Sequence, residues 1–136
     1  MYLLDTNVVS ELRKPKPHGA VIAWIQGIPN NELFISALTL GELQAGAERT
    51  RRQDQEKAAS IEAWIDQLAD SYAVIPMDGS MFRDWARLME GKSDHLLEDA
   101  MIAATARVRG LIVVTRNIRD FKTLAVELLN PFTPKT

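Results

Sequence analysis

A chain of 136 residues with 46% apolar and 25% charged side chains is long enough to bury one core without covalent staples, and too short to suggest a second domain. It has no cysteine, which excludes disulfides, zinc–thiolate and iron–sulfur sites and thiol nucleophiles, and leaves oxygen ligands or the two histidines to hold any metal. The formal charge of −2 argues against a nucleic-acid binder until the acids of a candidate metal site are set aside; the slight basic excess then left is compatible with an anionic partner.

The opening Met1-Tyr2-Leu3-Leu4-Asp5 lacks a basic leader, and no apolar run approaches the roughly 18 residues of a membrane helix, so a soluble, cytoplasmic protein is expected. Tyr2 to Leu4 reads as a short buried strand, followed by Asp5-Thr6-Asn7 and a helical turn over Val8 to Leu12. Pro15 and Pro17 break the chain, Gly19 to Gln26 is helical, and Pro29-Asn30-Asn31 marks a turn. Leu33 to Ile35 is a second strand, ahead of helices over Leu40 to Arg49 and about Asp54 to Tyr72. Ala73 to Ile75 is a third strand, and Pro76-Met77-Asp78-Gly79 a turn in which Asp78 caps a helix from Met81 to Met89. Met81, Phe82, Trp85, Leu88 and Met89 share that helix's apolar face, which is assigned to packing, as are Trp24 and Trp64, because none stands beside a polar cluster. Ser93 and Asp94 read as caps for a helix over Leu96 to Val108; after Gly110 the β-branched run Leu111 to Val114 is a strand, and Val126 to Leu129 can supply a fifth. The tail Pro131 to Thr136 is proline-broken and expected to fray. Strand and helix alternate throughout, which predicts an α/β fold: one domain over 1–136 with a mostly parallel sheet covered on both faces.

Four acidic phrases stand at strand ends or in the opening turns of helices: Asp5-Thr6-Asn7, Gly41-Glu42-Leu43, Glu98-Asp99-Ala100, and Thr115-Arg116-Asn117 leading to Asp120. An open α/β sheet gathers such residues into one crevice at its carboxyl edge. Several carboxylates meeting there repel one another, and in a low-dielectric cleft at least one pKa rises unless a cation sits between them. That points to Mg²⁺ or Mn²⁺ and to phosphate chemistry, since a hard ion that keeps several waters leaves room for a phosphate oxygen and an attacking water.

Each acid also has a plainer reading. Asp5, like Thr6 or Asn7, can cap the helical turn that follows. Glu42 can be a solvated residue among Leu40, Leu43 and Ala45. Asp120 and Asn117 can cap a helix from Phe121 to Leu124. Asp99 heads a stripe of small residues, Ala103, Ala106 and Gly110, that can pack closely on a sheet. Glu98 heads a stripe through Ile102 and Thr105 to Arg109, read as more outward, so Asp99 is preferred.

In these phrases the chain resembles the PIN-domain nucleases, and within them the VapC-type toxins, FitB-like branch, of type II toxin–antitoxin pairs. The resemblance rests on Leu4-Asp5-Thr6-Asn7-Val8, on Ile35-Ser36-Ala37 through Gly41-Glu42-Leu43, on Asp99-Ala100 with Ile102-Ala103-Ala104-Thr105-Ala106, on Val114-Thr115-Arg116-Asn117 running to Asp120-Phe121, and on Leu129-Asn130-Pro131-Phe132. It implies a three-layer sandwich with a five-stranded parallel sheet between helices, and a Mg²⁺- or Mn²⁺-dependent endoribonuclease. It implies catalytic and metal-binding roles for Asp5, Glu42, Asp99 and, as the more variable fourth acid, Asp120. Thr6, Thr115 and Asn117 then match polar positions that orient the acids or water. It also implies a homodimer and a small VapB-type antitoxin that blocks the cleft and binds operator DNA through its own domain. Glu98 is a departure, since such toxins often carry an apolar residue there.

On this reading Arg116 is the nearest candidate for a phosphate clamp, with Arg119 and Lys14 behind it. Arg13, Lys14 and Lys16, and Arg49, Arg51 and Arg52, form basic clusters that either track an RNA backbone or are ordinary solvated surface. An aspartyl-phosphate enzyme would want a second acid two residues after Asp5, where Asn7 stands. His18 and His95 join no acid–His–Ser pattern and read as surface or cap. The remaining alternative is a PIN-like scaffold that binds RNA or protein without cutting.

Overall fold

Five short apolar runs pair side by side in a computed structural model of the chain, which describes residues 1–133. They are β1 (Tyr2–Leu4), β2 (Leu33–Ser36), β3 (Ala73–Ile75), β4 (Ile112–Val114) and β5 (Leu128–Leu129), in the order β3-β2-β1-β4-β5, with every neighbouring pair parallel. Leu4 stands opposite Ile35 on one side and Val114 on the other, so the next residues, Asp5 and Thr115, leave the sheet together at its carboxyl edge, beside Ser36, the last residue of β2. After β1 the chain moves to one side of the sheet, and it returns to β4 on the other. The crevice of an open α/β sheet lies at such a switch point.

Both faces of the strands are buried, as a parallel sheet requires. Leu3 and Val113 face a core completed by Phe121, Met81 and the alanines of α6 (Leu97–Arg109). Leu4, Ile35 and Val114 face a second core with Val8, Val9, Val21 and Leu68. On α6, Ala100, Ala103 and Ala106 have no exposed surface, so this helix lies close against the sheet. It ends on Gly110 at φ 67°, a left-handed conformation that glycine adopts without steric cost and that turns the chain into β4.

The other helices are α1 (Thr6–Glu11), α2 (Gly19–Gln26), α3 (Ala37–Arg51), α4 (Gln55–Ser71), α5 (Gly79–Met89) and α7 (Ile118–Phe121). Among the described residues, none is long and apolar enough to cross a membrane. Asp78 caps α5 as its position suggests, its Oδ1 accepting from the Met81 amide at 3.0 Å. The helix α3 starts ahead of Leu40 because Ser36 Oγ accepts from the Leu38 amide at 3.0 Å and caps it earlier.

Several local expectations are corrected. Ser93 and Asp94 do not cap α6; a 3₁₀ turn over Asp94–Leu96 leads into it instead, with no side-chain capping bond. Asn117 makes no capping bond to α7, which ends at Phe121, where the sequence suggests that a helix begins. Phe82, assigned to the packed face of α5, is 45% exposed and lies edge-on to Trp85. Of the tail expected to fray, Pro131 to Thr133 are among the described residues. Phe132 is buried against the second core, its ring meeting His18 edge-on and the Arg116 guanidinium 4.2 Å above it, and its amide donates to Asn130 Oδ1. The rest of the tail expectation, residues 134–136, lies outside the described residues.

Candidate active site

Asp5 is the first residue beyond β1 and is 6% exposed, so its carboxylate must find partners inside the protein. Its Oδ1 accepts from the Thr6 amide at 2.8 Å, closing α1 from its N-terminal side, and its Oδ2 accepts from Thr115 Oγ1 at 2.8 Å and from Asn7 Nδ2 at 3.3 Å. The cap reading and the site reading of Asp5 are therefore compatible, because each carboxylate oxygen takes a different donor.

From Asp5 the network runs two ways. Thr6 Oγ1 donates to Glu42 Oε1 at 2.8 Å and lies 2.9 Å from Thr39 Oγ1, so the Thr39 hydroxyl is left to donate to Thr6. On the other side the fully buried Thr115 Oγ1, which donates to Asp5, accepts from the Asn117 amide at 2.9 Å and from Asn7 Nδ2 at 3.1 Å. The Asn117 side chain then bridges two more acids, its Nδ2 donating to Asp99 Oδ2 at 3.2 Å and to Asp120 Oδ2 at 3.1 Å. Glu42 on α3, Asp5 after β1, Asp99 on α6 and Asp120 on α7 are thus joined through Thr6, Thr115 and Asn117. Among the described residues no buried side-chain polar atom lacks a partner.

The charge in this network is uncompensated: no Lys or Arg of the described residues is hydrogen-bonded or ion-paired to these acids. Burial raises the Asp5 pKa, against the pull of its Thr115 and Thr6 hydrogen bonds. Burial, then interaction with the Glu98 carboxylate, which favours a protonated and donating Glu42, pushes Glu42 up to about 7, with the charges of Glu98 and Asp5 adding to the rise. Asp99 rises to about 6, chiefly by burial and then by the charges of Asp5, Asp120 and Glu98, with His95 pulling it down.

Glu98 is exposed, as its helical stripe suggests, while Asp99 beside it is half-buried. The stripe below it is nonetheless covered, with Ile102 at 1% and Thr105 at 0% exposure. A fifth acid thus stands at the exposed rim of the site, close enough for its charge to act on Glu42 and Asp99. Arg116 is exposed beside the network: its guanidinium stacks on Phe132, its charge acts on Glu11, and its backbone amide donates to Asn7 Oδ1 at 3.2 Å. Trp64 packs against the second core, as expected, and its remaining surface lines an open cavity with Thr6 and Glu42. His18 is the cap of α2, its Nδ1 accepting from the Ala20 amide at 3.2 Å.

Among the described residues no group of three His, Asp or Glu side chains is spaced to hold a metal ion as the side chains stand. The acids are held apart by the Thr and Asn side chains between them. An oxygen-only set with surplus negative charge and open spacing suits a hard divalent cation that keeps part of its water, as Mg²⁺ does, better than an ion that needs a full protein cage.

Stability has a predictable pH dependence without metal. Between the ordinary values of 3.8 and 4.5 and the folded values of about 6 for Asp99 and about 7 for Glu42, the folded state holds protons that the unfolded state has released. Rising pH therefore favours unfolding through that window. The lowered carboxyls Glu11, Glu48 and Asp78 act in the opposite sense, but their contribution is complete once pH exceeds the ordinary carboxylate value. In EDTA the melting temperature should fall as pH rises from about 5 to about 7, and Mn²⁺ should reverse the fall. A profile that rises across this window in EDTA would show that the acids are not desolvated together.

Comparison with known proteins gives a consistent picture. The family described as PIN domain matches residues 2–127. The chain is 34% identical to VapC ribonuclease Y4jK of Sinorhizobium fredii, over 98% of this chain and 99% of that protein. It is 30% identical to Toxin FitB of Neisseria gonorrhoeae, over 97% and 99% of the two chains. A solved structure of FitAB bound to an IR36 DNA fragment matches with a TM-score of 0.86 and 27% identity, covering 100% of this chain and 99% of that one.

Proposed function

The chain belongs to the PIN-domain family, and from that premise we propose that it is the toxin of a toxin–antitoxin pair, a Mg²⁺- or Mn²⁺-dependent endoribonuclease that hydrolyses RNA phosphodiesters in the cytoplasm. Likeness to a VapC ribonuclease and to Toxin FitB over nearly the whole chain supports the activity. Likeness to FitAB on DNA supports a cognate VapB-type antitoxin that blocks the cleft and carries the operator contact itself, and a homodimeric toxin belongs to the same reading. The single observation that carries the proposal is the hydrogen-bonded series Glu42–Thr6–Asp5–Thr115–Asn117–Asp99/Asp120 at the carboxyl edge of the sheet, which leaves several acids without a counter-cation.

Asp5, Glu42, Asp99 and Asp120 would hold the metal, Asp5 centrally and Asp120 at the margin. When bound, the ion would lower the pKa of a coordinated water and stabilise charge on the phosphate. The protein's own groups do the rest. Thr115 and the Thr6 amide fix the rotation of the Asp5 carboxylate, and Asn117 fixes Asp99 and Asp120 relative to each other. Hydrolysis forms a bond from water oxygen to phosphorus, breaks the phosphorus–oxygen ester bond on the far side, and needs an acceptor for the water's proton. Glu42, oriented by Thr6 Oγ1 at 2.8 Å, and Asp99, oriented by Asn117 Nδ2 at 3.2 Å, would hold the metal or position that water.

Calorimetric titration with Mn²⁺, together with cleavage of a mixed structured RNA pool by the same samples, tests the proposal. Binding and cleavage should both be present in the unsubstituted protein and both disappear in Asp99→Asn. A folded protein that binds no Mn²⁺ at millimolar concentration would overturn the nuclease reading in favour of a non-cutting scaffold.

A further inference from the structure

Beside the acids the surface opens into a groove whose charge has the opposite sign. Its inner part, an open cavity of about 420 Å³, is walled by Thr6, Glu42, Arg13, Gly46, Arg49 and Trp64. An outer part of about 530 Å³ shares Arg13 and Trp64 and continues to Lys57 and Ser60. Because they share these two residues, the two parts make a path between α1 and the α3–α4 pair, with Glu42 as the one acid of the network at its inner end and Leu43, Ile61 and Leu12 as apolar lining.

The basic clusters of the sequence are sorted by this path. Lys14 is paired with the buried Glu11 at 3.0 Å, and Arg51 with Glu48 and Glu62. Among the described residues Arg13, Arg49 and Lys57, the cations that line the path, form no ion pair. A Cβ on Gly46 would lie 3.6 Å from Arg49 Nη2, so the Arg49 side chain runs along a floor that the missing side chain keeps low. The half-buried Trp64 sits where the inner and outer parts meet. Unpaired cations spaced along a groove with an aromatic ring between them are what a single nucleic-acid strand requires, since phosphates take the charges and any base can stack on the ring.

We propose that this groove is the track for the RNA strand on the Glu42 side of the scissile bond, with Arg13 and Arg49 holding the adjacent phosphate, Trp64 stacking a base and Lys57 meeting the next phosphate. The assignment rests on the nuclease reading and adds the residues that position its substrate. An RNA strand is favoured over a protein segment because the cations continue directly into the place where a phosphodiester has to lie.

The test uses the full chain carrying Asp5→Asn, so that RNA is bound but not cut, with a fluorescein-labelled, unstructured uridine-rich oligoribonucleotide followed by anisotropy over a range of KCl concentrations. Adding Arg13→Ala and Arg49→Ala should raise Kd by about tenfold at low salt and flatten the slope of log Kd against log salt by roughly 0.7 for each phosphate that is no longer neutralised. Both arginines are exposed, so folding is not at risk. Gly46→Leu, which raises the floor, should weaken binding without removing a charge. Trp64→Phe should remove most of the tryptophan quenching seen on RNA addition. In the cleaving protein the double arginine variant should raise KM far more than it lowers kcat and leave the Mn²⁺ titration unchanged. Unchanged Kd and salt slope would overturn the track. So would unchanged RNA binding combined with weakened inhibition by the antitoxin, which would give the groove to a protein partner. Failure of the nuclease reading appears separately, as absent Mn²⁺ binding and cleavage in the unsubstituted protein, and would overturn the track as a route to a scissile bond.

Discussion

Asp5→Asn should reduce RNA cleavage by at least about a thousandfold, roughly 4 kcal/mol of barrier, while leaving the protein folded. The substitution keeps the shape of the side chain and the acceptor for the Thr6 amide. It removes the charge at the centre of the network and turns one oxygen into a donor that faces Thr115 Oγ1 and Asn7 Nδ2. The effect on stability is a balance. Loss of a desolvated, cation-free carboxylate is favourable, and loss of the acceptor for the Thr115 hydroxyl is unfavourable by about 1–3 kcal/mol. In EDTA at neutral pH the two nearly cancel, so the melting temperature should move by only a few degrees while activity disappears. Denaturation and RNA cleavage measured on one preparation check this, and a variant that keeps a tenth of its activity would remove Asp5 from the centre of the site.

Asp120 provides the contrast. It is only partly buried, and its bond to the network is the one from Asn117 Nδ2 at 3.1 Å. The same isosteric change there should cost less than at Asp5, about 10–100-fold.

The layout of the sheet is legible in the sequence because its strands are apolar, short and bounded by turn residues, and because burial on both faces leaves a parallel arrangement as the one that covers them. The strand ends then carry Asp5 and Thr115 to one edge without further information. What the sequence conceals is non-local. Glu98 reads as outward and is exposed, yet Thr105 below it, which looks like part of the same wet face, is covered. Thr105 is buried at no cost, since its hydroxyl donates back to the Met101 carbonyl at 2.9 Å. Arg49 and Arg51 are indistinguishable as letters, yet one lines the groove while the other is paired with Glu62 on the next helix. Trp64 looks like any core tryptophan until α4 is laid against α3, which places the ring at the groove. Asn117 is legible as a turn residue, but not as a bridge between two acids whose elements are set by the tertiary fold.

Thr115→Val should be the costliest single-atom change in the site. Valine has the shape of threonine, so β4 and its packing are preserved, and the loss is confined to one hydroxyl. That hydroxyl donates to Asp5 Oδ2 and accepts from the Asn117 amide and Asn7 Nδ2, all in a position with no exposed surface. Its removal leaves a backbone donor and a carboxylate oxygen facing a methyl group, where water has little room to replace it. A loss of about 3 kcal/mol follows from two unsatisfied groups, seen as a fall in melting temperature of roughly 10 °C for a chain of this size. Cleavage should fall by about 10–100-fold even with saturating metal, because Asp5 and the Asn117 loop lose their common anchor. Thr115→Ser separates the hydroxyl from the rest of the side chain: it should restore activity and most of the stability, lacking only about 1 kcal/mol for the missing methyl group. If serine fails to rescue while valine remains as stable as threonine, the methyl packing on β4 rather than the hydrogen-bonded junction is what Thr115 supplies, and the acids are held together by their backbone positions alone.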